Sequence, residues 1–310
     1  MAGSSSGATR VLVVLAYFNG ADWIEAQVNS VLSQEGVDVR VVVFDDCSAS
    51  HLSAEMMVGG IDSRVAIYSR EVGSGGAGQN FLRALRDIWE ESFDFLAFCD
   101  QDDIWDSMKL SRAVDALNSE EAVGYSSSVR AVWPDGSSKV LAQSPVTTDL
   151  DFLFEGAGQG CTFVITKNFA RRLDALVRDN ADVVASLHYH DWFIYAMSRA
   201  LRLSWIFDPV PSMMYRQHER NDTGARTSLG GVLARVVKIR GGWYASQVTG
   251  ILHAVRLVNL EVLPRDFMDA YQRRPGIIRR VSLARILLAR GRRRLLDRGV
   301  LAFSALCGWV

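Results

Sequence analysis

A chain of 310 residues, 49% hydrophobic and 22% charged, has the composition of an ordinary globular protein, long enough for one large core or a core plus an accessory region. Its formal net charge of -1 gives no footing for nucleic-acid binding, and no apolar run is long enough for a transmembrane helix. Cys47, Cys99, Cys161 and Cys307 are too scattered for a disulfide frame or a zinc site, and the opening MAGSSSGATR lacks the order of a signal peptide, so a cytoplasmic protein with a disordered lead-in over residues 1–9 is expected.

RVLVVLAYF (10–18) is a continuous β-branched run, the pattern of a strand covered on both faces, and it ends at the turn signal Asn19-Gly20. Ile24, Val28, Val31 and Leu32 then recur at helical spacing. VRVVVF (39–44) predicts a second buried strand ending at Asp45-Asp46, followed by a weaker helix near 50–57 and a strand over 64–69. A Gly-rich loop opens the helix 79–91, and a fourth strand runs from Phe93 to Cys99. Strands alternating with helices at this spacing predict βαβ units and a parallel sheet, with ligands bound beyond the carboxyl ends of the strands. Both acidic clusters, Asp45-Asp46 and Asp100 to Asp103, fall at such ends and are expected to face one crevice.

Beyond residue 124 the pattern is mixed. PDGS makes a hairpin-like turn between GYSSSVRAVW and SKVLAQ. GCTFVIT (160–166) reads as a strand, NFARRLDALVRD as a helix and HYHDWFIYAMSRA (188–200) as a helix start, with strands near 203–207 and 212–217. The remaining 85 or so residues are helical and basic, with ten arginines between 273 and 298 interleaved with Ile and Leu. They form either a solvated face packed on the core or a basic amphipathic surface for an anionic membrane.

FLAFCDQDDIWDSMKL (95–110) is the segment that asks for an explanation. Asp100, Asp102, Asp103 and Asp106 crowd the end of a buried strand, which costs electrostatic energy unless a cation neutralises them. Hard oxygen ligands of this kind suit Mg²⁺ or Mn²⁺, which would in turn bridge phosphate oxygens. The competing reading has the acids solvated and capping the next helix, with Asp106 as its N-cap. GSGGAG (73–78) also matches the dinucleotide fingerprint literally, but it follows the third strand rather than the first and stands beside aspartates that would repel a pyrophosphate.

AYFNGADWIEAQVNSVLSQ, VVFDDCSAS, GQNFLRAL, FLAFCDQDDIWDSMKL, GCTFVIT, HYHDWFIYAM and MYRQHERNDTG occur in this order across residues 10–224. Together they resemble the motifs of family-2 inverting glycosyltransferases, in particular the bacterial rhamnosyltransferase-like subgroup. The resemblance implies an α/β GT-A nucleotide-diphospho-sugar transferase fold, a Rossmann-like mixed sheet flanked by helices, over 10–224. A basic helical extension over 225–310 would follow.

It further implies a donor nucleotide bordered by Ala16, Tyr17 and Asn19. Asp46 would contact the base or ribose with Asp45 alongside, Asp100 would approach the ribose, and Asn80 and Gln101 would belong to the same donor site. Asp102 would ligate Mg²⁺ or Mn²⁺, His218 would complete that metal site or touch the diphosphate, and Arg216 would balance phosphate charge. Asp191 matches the family's catalytic base, although its sequence position also suits a helix N-cap. His190 reads as support for Asp191 or as structural.

The expected reaction is transfer of one sugar, rhamnose from a dTDP-sugar being favoured, to a glycan or lipid-linked acceptor. The Gln-x-x-Arg-Trp signature of processive synthases is absent, and Cys47 stands where the family commonly has Gly. A nucleotidyltransferase and a non-catalytic scaffold of the same plan are the competing readings. The first lacks its lysine-bearing Gly-rich loop, and packing alone gives the second no reason to keep Asp100, Asp102 and Asp191 together.

Overall fold

The computed structural model describes residues 8–52, 62–218 and 240–310. Strand β1 (Arg10–Tyr17) is flanked by parallel β2 (Asp38–Asp45) and β4 (Phe95–Asp100), and β3 (Val65–Ser69) pairs outside β2. Helices α1 (Ile24–Leu32) and α2 (Ala77–Asp87) complete the βαβ units. The sheet then turns antiparallel through β8 (Val164–Thr166), and β6 (Gly124–Val132), β9 (Trp205–Arg216) and β5 (Ile104–Trp105) follow in the order β3-β2-β1-β4-β8-β6-β9-β5. The expected hairpin at PDGS is present, with β7 (Ser138–Leu141) antiparallel to β6.

Why β1 reads as an unbroken apolar run is plain from its neighbours. Leu12, Val14 and Ala16 point into one core with α2, α5 (Lys167–Asp179) and α7 (His190–Ala200). Val11, Val13, Leu15 and Tyr17 point into a second core with α1 and α3 (Lys109–Ser119). A strand covered on both faces has no solvent side on which to place polar residues.

Register decides what meets at the carboxyl edge. Ala16 lies opposite Asp100, Tyr17 opposite Asp45, and Asp45 opposite Ser69. The two acidic clusters therefore share one edge of the sheet, as their positions in the sequence implied.

Three local expectations are corrected. The two strands foreseen near 203–207 and 212–217 are one strand, β9, whose pairing with β6 shifts register between Ser127 and Arg130. GCTFVIT begins as a 3-10 turn, Gly160–Thr162, and only Val164–Thr166 is extended. Asp106 is not an N-cap: α3 starts at Lys109, whose N–H donates to the Asp106 main-chain carbonyl, and the Asp106 side chain is exposed. The helix foreseen near 50–57 lies mostly outside the described residues, as does the boundary at 224/225.

Four helices close the chain: α8 (Trp243–Val258), α9 (Arg265–Gln272), α10 (Ile277–Arg290) and α11 (Leu295–Cys307), after the short α4 (Asp151–Phe154) and α6 (Ala181–Ala185) that precede them in sequence. Val248, Ile251, Phe267, Leu283, Leu287 and Leu301 join the same core cluster as Leu12 and Val14, so the helical region and the sheet share one interior. Fully buried Asp151 fastens the two parts, accepting from Arg199 at 2.7 Å and the Tyr195 hydroxyl at 2.8 Å, with Arg293 3.7 Å away. Removing one partner from such a buried pair typically costs about 3–5 kcal/mol, because a charge is stranded. Among the described residues no helix is long and apolar enough to cross a membrane.

Candidate active site

The loop after β1 is fixed by its neighbour after β4. The Gln101 side-chain amide accepts from Phe18 N–H at 2.8 Å and donates to the Phe18 carbonyl at 3.1 Å, as a paired strand would. Gly20 is required beneath it, since a Cβ there would stand 2.3 Å from the Gln101 amide. Asn19, at φ 49°, donates its N–H to Ser48 Oγ and accepts from Ala49 N–H through Oδ1. This clamping leaves the Phe18 ring 55% exposed at the carboxyl edge.

Asp45, which the resemblance sets alongside Asp46, lies inside the protein. It is fully buried, Oδ1 accepting from Ser48 N–H and Oδ2 from Leu52 N–H, with His51 Nδ1 3.0 Å away. Burial pushes its pKa up, but the hydrogen bonds from Ser48, Leu52 and His51 outweigh that and hold it below the usual carboxylate range. Its role is to shape the turn. Within that turn Cys47 sits at φ 65°, in the left-handed region that favours glycine.

Asp46 is likewise engaged, accepting from the Ser74 N–H at 2.7 Å and the Ser74 hydroxyl at 2.6 Å. The loop GSGGAG is thereby tied across the end of β2. Asn80, foreseen at the donor site, is buried and donates to the Phe44 carbonyl at 2.8 Å while accepting from Arg70 at 3.3 Å. It joins α2 to β2 from inside.

Asp102 and His218 meet: the carboxylate and Nε2 are 2.8 Å apart, from opposite ends of the segment 102–218. The imidazole stacks on Trp23, ring centroids 4.4 Å apart and 11° from parallel. No sequence signal marked Trp23. Behind this pair Asp103 is fully buried, accepting Arg216 N–H at 3.3 Å on Oδ1, while Oδ2 has no hydrogen-bond partner among the described residues. Burial first, then the charges of Asp102 and Asp100, push its pKa well above the carboxylate range.

One ligand atom each of Asp100, Asp103 and Cys161 lies within 4.8 Å of the others, and burial likewise pushes the Cys161 thiol up. Lys109 closes the cluster from below, its buried ammonium 4.1 Å over the Trp105 ring and 3.4 Å from the Thr162 carbonyl; burial brings its pKa down to about 8. Among the described residues the side chains near enough to share a cation are Asp100, Asp103 and Cys161, while Asp102 and His218 contact each other at 2.8 Å; carboxylate oxygens and an imidazole are donors that a divalent cation accepts.

Asp191 lies in the first turn of α7, not at its N-cap, which is Tyr189. It is half-buried, and Oδ1 accepts from Trp192 N–H at 2.7 Å. Two glycines bring it to the acids. A Cβ at Gly160 would come 3.1 Å from the Asp191 Cβ, while the next residue, Cys161, belongs to the Asp100/Asp103 cluster. A Cβ at Gly78 would stand 2.1 Å from the His188 carbonyl oxygen, so the start of α2 lies directly against the 188–190 segment. Backbone this close admits no side chain.

His190 is a core residue. Its ring packs on Phe81 and Phe98 at 4.2 and 5.4 Å, and Nε2 has no hydrogen-bond partner among the described residues. Burial brings its pKa down to about 3 from 6.5. The unfolded chain takes up that proton below about pH 6.5 and the native state does not, so this contribution to stability is complete above that pH. It is lost at about 1.4 kcal/mol per unit as pH falls toward 3. Between about pH 7.5 and pH 5, urea unfolding should show the parent losing roughly 2 kcal/mol more than His190→Gln. Equal losses in the two proteins would refute a neutral buried imidazole.

The chain is similar to known proteins in sequence and in fold. Residues 12–177 match the model of Glycosyl transferase family 2. The chain is 36% identical over 244 residues to the dTDP-rhamnosyl transferase RfbG of Shigella flexneri, covering 78% of this chain and 84% of that protein. In fold it is similar to S. aureus TarS 1-349, solved in complex with UDP-GlcNAc, with TM-score 0.51 and 13% identity over 97% of this chain and 91% of that one. The mannosyltransferase PcManGT from Pyrobaculum calidifontis, solved with GDP-Man and Mn²⁺, gives TM-score 0.52 and 14% identity over 97% and 87%. A mixed sheet with acids gathered at its carboxyl edge, a family model matching over half the chain and a relative alike along most of its length agree: the chain belongs to glycosyl transferase family 2 and is a nucleotide-sugar glycosyltransferase of the GT-A fold.

Proposed function

We propose that the protein is a metal-dependent, inverting rhamnosyltransferase that moves one sugar from dTDP-rhamnose to a hydroxyl of a cell-surface glycan or its lipid-linked precursor. The observation that carries the mechanism is the 2.8 Å contact with His218 of Asp102, two residues beyond Asp100, whose neighbour Cys161 follows the glycine that Asp191 approaches. The donor assignment is supported by the 36% identity with a dTDP-rhamnosyl transferase.

In this reading the nucleobase rests by the exposed Phe18 ring, on backbone held rigid by Gln101 and Asn19. Asp46 and Asp45 act through the turn and the Ser74 loop they organise, and Asn80 through its hold on β2. Ala16 and Tyr17 supply the strand end on which the donor lies, with Asp100 facing the ribose. A Mg²⁺ or Mn²⁺ ion held by Asp102 and His218 would neutralise the diphosphate, and Arg216 would share that task.

Asp191 takes the proton of the acceptor hydroxyl as that oxygen bonds to the anomeric carbon. The bond from that carbon to the diphosphate oxygen breaks on the opposite face, dTDP leaves with the electron pair, and the configuration inverts. The first turn of α7 holds the carboxylate still, and buried His190 keeps that turn packed on α2.

Ligand binding to the native state raises Tm by mass action, so a thermal-shift panel of nucleoside diphosphates and nucleotide sugars, with and without Mn²⁺, tests the reading. A Mn²⁺-dependent rise confined to dTDP compounds is expected. A rise with UDP or GDP compounds instead would overturn the donor and keep the chemistry; a rise indifferent to metal would overturn the metal role.

A further inference from the structure

The C-terminal hairpin is built unlike the rest of the surface. Between residues 273 and 310 there are ten arginines and a single acid, Asp297. α10 and α11 pack antiparallel: the Arg280 guanidinium lies at Gly308, where a Cβ would meet it at 2.8 Å, and Gly291–Arg294 joins the other ends. Leu283, Ala284 and Leu287 on α10, with Leu301, Ala302 and Ala305 on α11, face inward.

The outer faces should then be polar, and they are not. On α11, Leu296, Val300, Phe303 and Leu306 recur along one face and are exposed, Leu296 at 87% and Phe303 at 59%. On α10, Ile277, Ile278 and Leu288 are exposed as well. Contiguous exposed apolar side chains of this size mark a surface with a function.

Charge identifies the occupant. Arg290, Arg292, Arg293 and Arg298 are used internally, bonded to Asp149 and Asp266, the Phe154 carbonyl, Glu155 and helix-end carbonyls. Arg274, Arg280 and Arg285 are exposed and form no ion pair with a carboxylate among the described residues. Exposed apolar side chains on a basic hairpin, with Arg285 at helical spacing between Ile278 and Leu288, fit the boundary between acyl chains and anionic headgroups, where apolar burial and charge attraction add. A second copy of the same face would set arginine against arginine.

We propose that the outer face of the α10–α11 hairpin docks on an anionic membrane surface. Its attachment suits that role. The joining segment donates from Arg292 to the Phe154 carbonyl and from Arg293 to the Gly156 carbonyl, and a Cβ at Gly156 would lie 3.4 Å from the Trp192 backbone, next to Asp191. A bound membrane would therefore be held in fixed relation to the base, on the route of an acceptor carried by a lipid. This docking does not depend on the identity of the donor sugar.

Co-sedimentation of the full chain with vesicles of phosphatidylcholine alone, and of phosphatidylcholine with phosphatidylglycerol, tests it without donor or acceptor. Binding to the anionic vesicles, weakened by salt, is expected. The pair Leu296→Ser and Phe303→Ser should weaken it by at least about tenfold, and Arg274→Ser and Arg285→Ser by about fivefold each. All four positions are exposed, so Tm and its rise with donor should be unchanged. Partition no greater into anionic than into neutral vesicles would overturn the proposal. So would undiminished binding by the variants, or an oligomer in lipid-free solution that the Leu296/Phe303 pair dissolves.

Discussion

Asp191→Asn is expected to lower kcat by two to four orders of magnitude while leaving Tm and donor binding near those of the parent, because the amide keeps the shape and cannot accept the proton. Asn retains an oxygen to accept the Trp192 N–H, so the first turn of α7 stays formed. A loss confined to kcat separates a base from a residue that merely holds the helix start. Should Asp191→Asn keep a tenth or more of the parent kcat, or lose activity only in step with stability, the proton must go elsewhere. Gly160 and Gly78, which admit no Cβ, show how tightly the backbone around this carboxylate is set. Displacing it by an ångström would sacrifice much of the benefit of a positioned base.

Asp102→Ala should cost about two to three orders of magnitude in kcat/KM and abolish the Mn²⁺-dependent part of the donor Tm shift. The variant leaves His218 stacked on Trp23 but without its carboxylate partner, and leaves Asp103 buried behind an emptied position. His218→Ala should weaken the same metal dependence. Full transfer by Asp102→Ala, or undiminished transfer by the parent in EDTA, would sink the metal role and return Asp102 to being the partner of an imidazole. The donor shift is the more telling readout, since it isolates binding from chemistry.

The sequence carried the elements that are buried on both faces. β1, β2 and β4 are legible because a strand between two helical layers must be apolar throughout, and the acids that end them are legible because charge cannot continue such a run. The helix 188–200 and the PDGS hairpin were also legible, from periodicity and turn chemistry. The 3-10 turn at Gly160–Thr162 was not, since its apolar flanks read as strand while Gly160 yields to the approach of His190 and Asp191. Asp106 failed as a cap because its side chain stays in solvent while its carbonyl receives Lys109.

At the site, the order of motifs alone named Asp102, His218 and Asp191, and the first two do stand in contact. Motif order could not say which of the acids face outward. Asp45, Asp46 and Asp103 are all buried, Asp45 satisfied by a turn and Asp103 left with an unpaired oxygen, while Asp100 and Asp102 stay partly exposed. Whether a carboxylate points to solvent or into the protein depends on loops that fold over it from elsewhere in the chain, here 48–52, 160–162 and the end of β9. The same limit applies to Trp23 under His218 and to Lys109 beneath the acids, whose partners lie far away in sequence.

The sequence by itself determined the layered α/β architecture, the edge on which a donor would bind and the residue types that meet there, because burial periodicity and strand ends are properties of a local segment. Only the tertiary structure decided which acids are fully buried and which reach the surface, that His190 is a core residue, and that the basic tail turns apolar side chains outward. Those outcomes depend on desolvation and on contacts between segments remote in the chain, and neither quantity exists until the chain has packed.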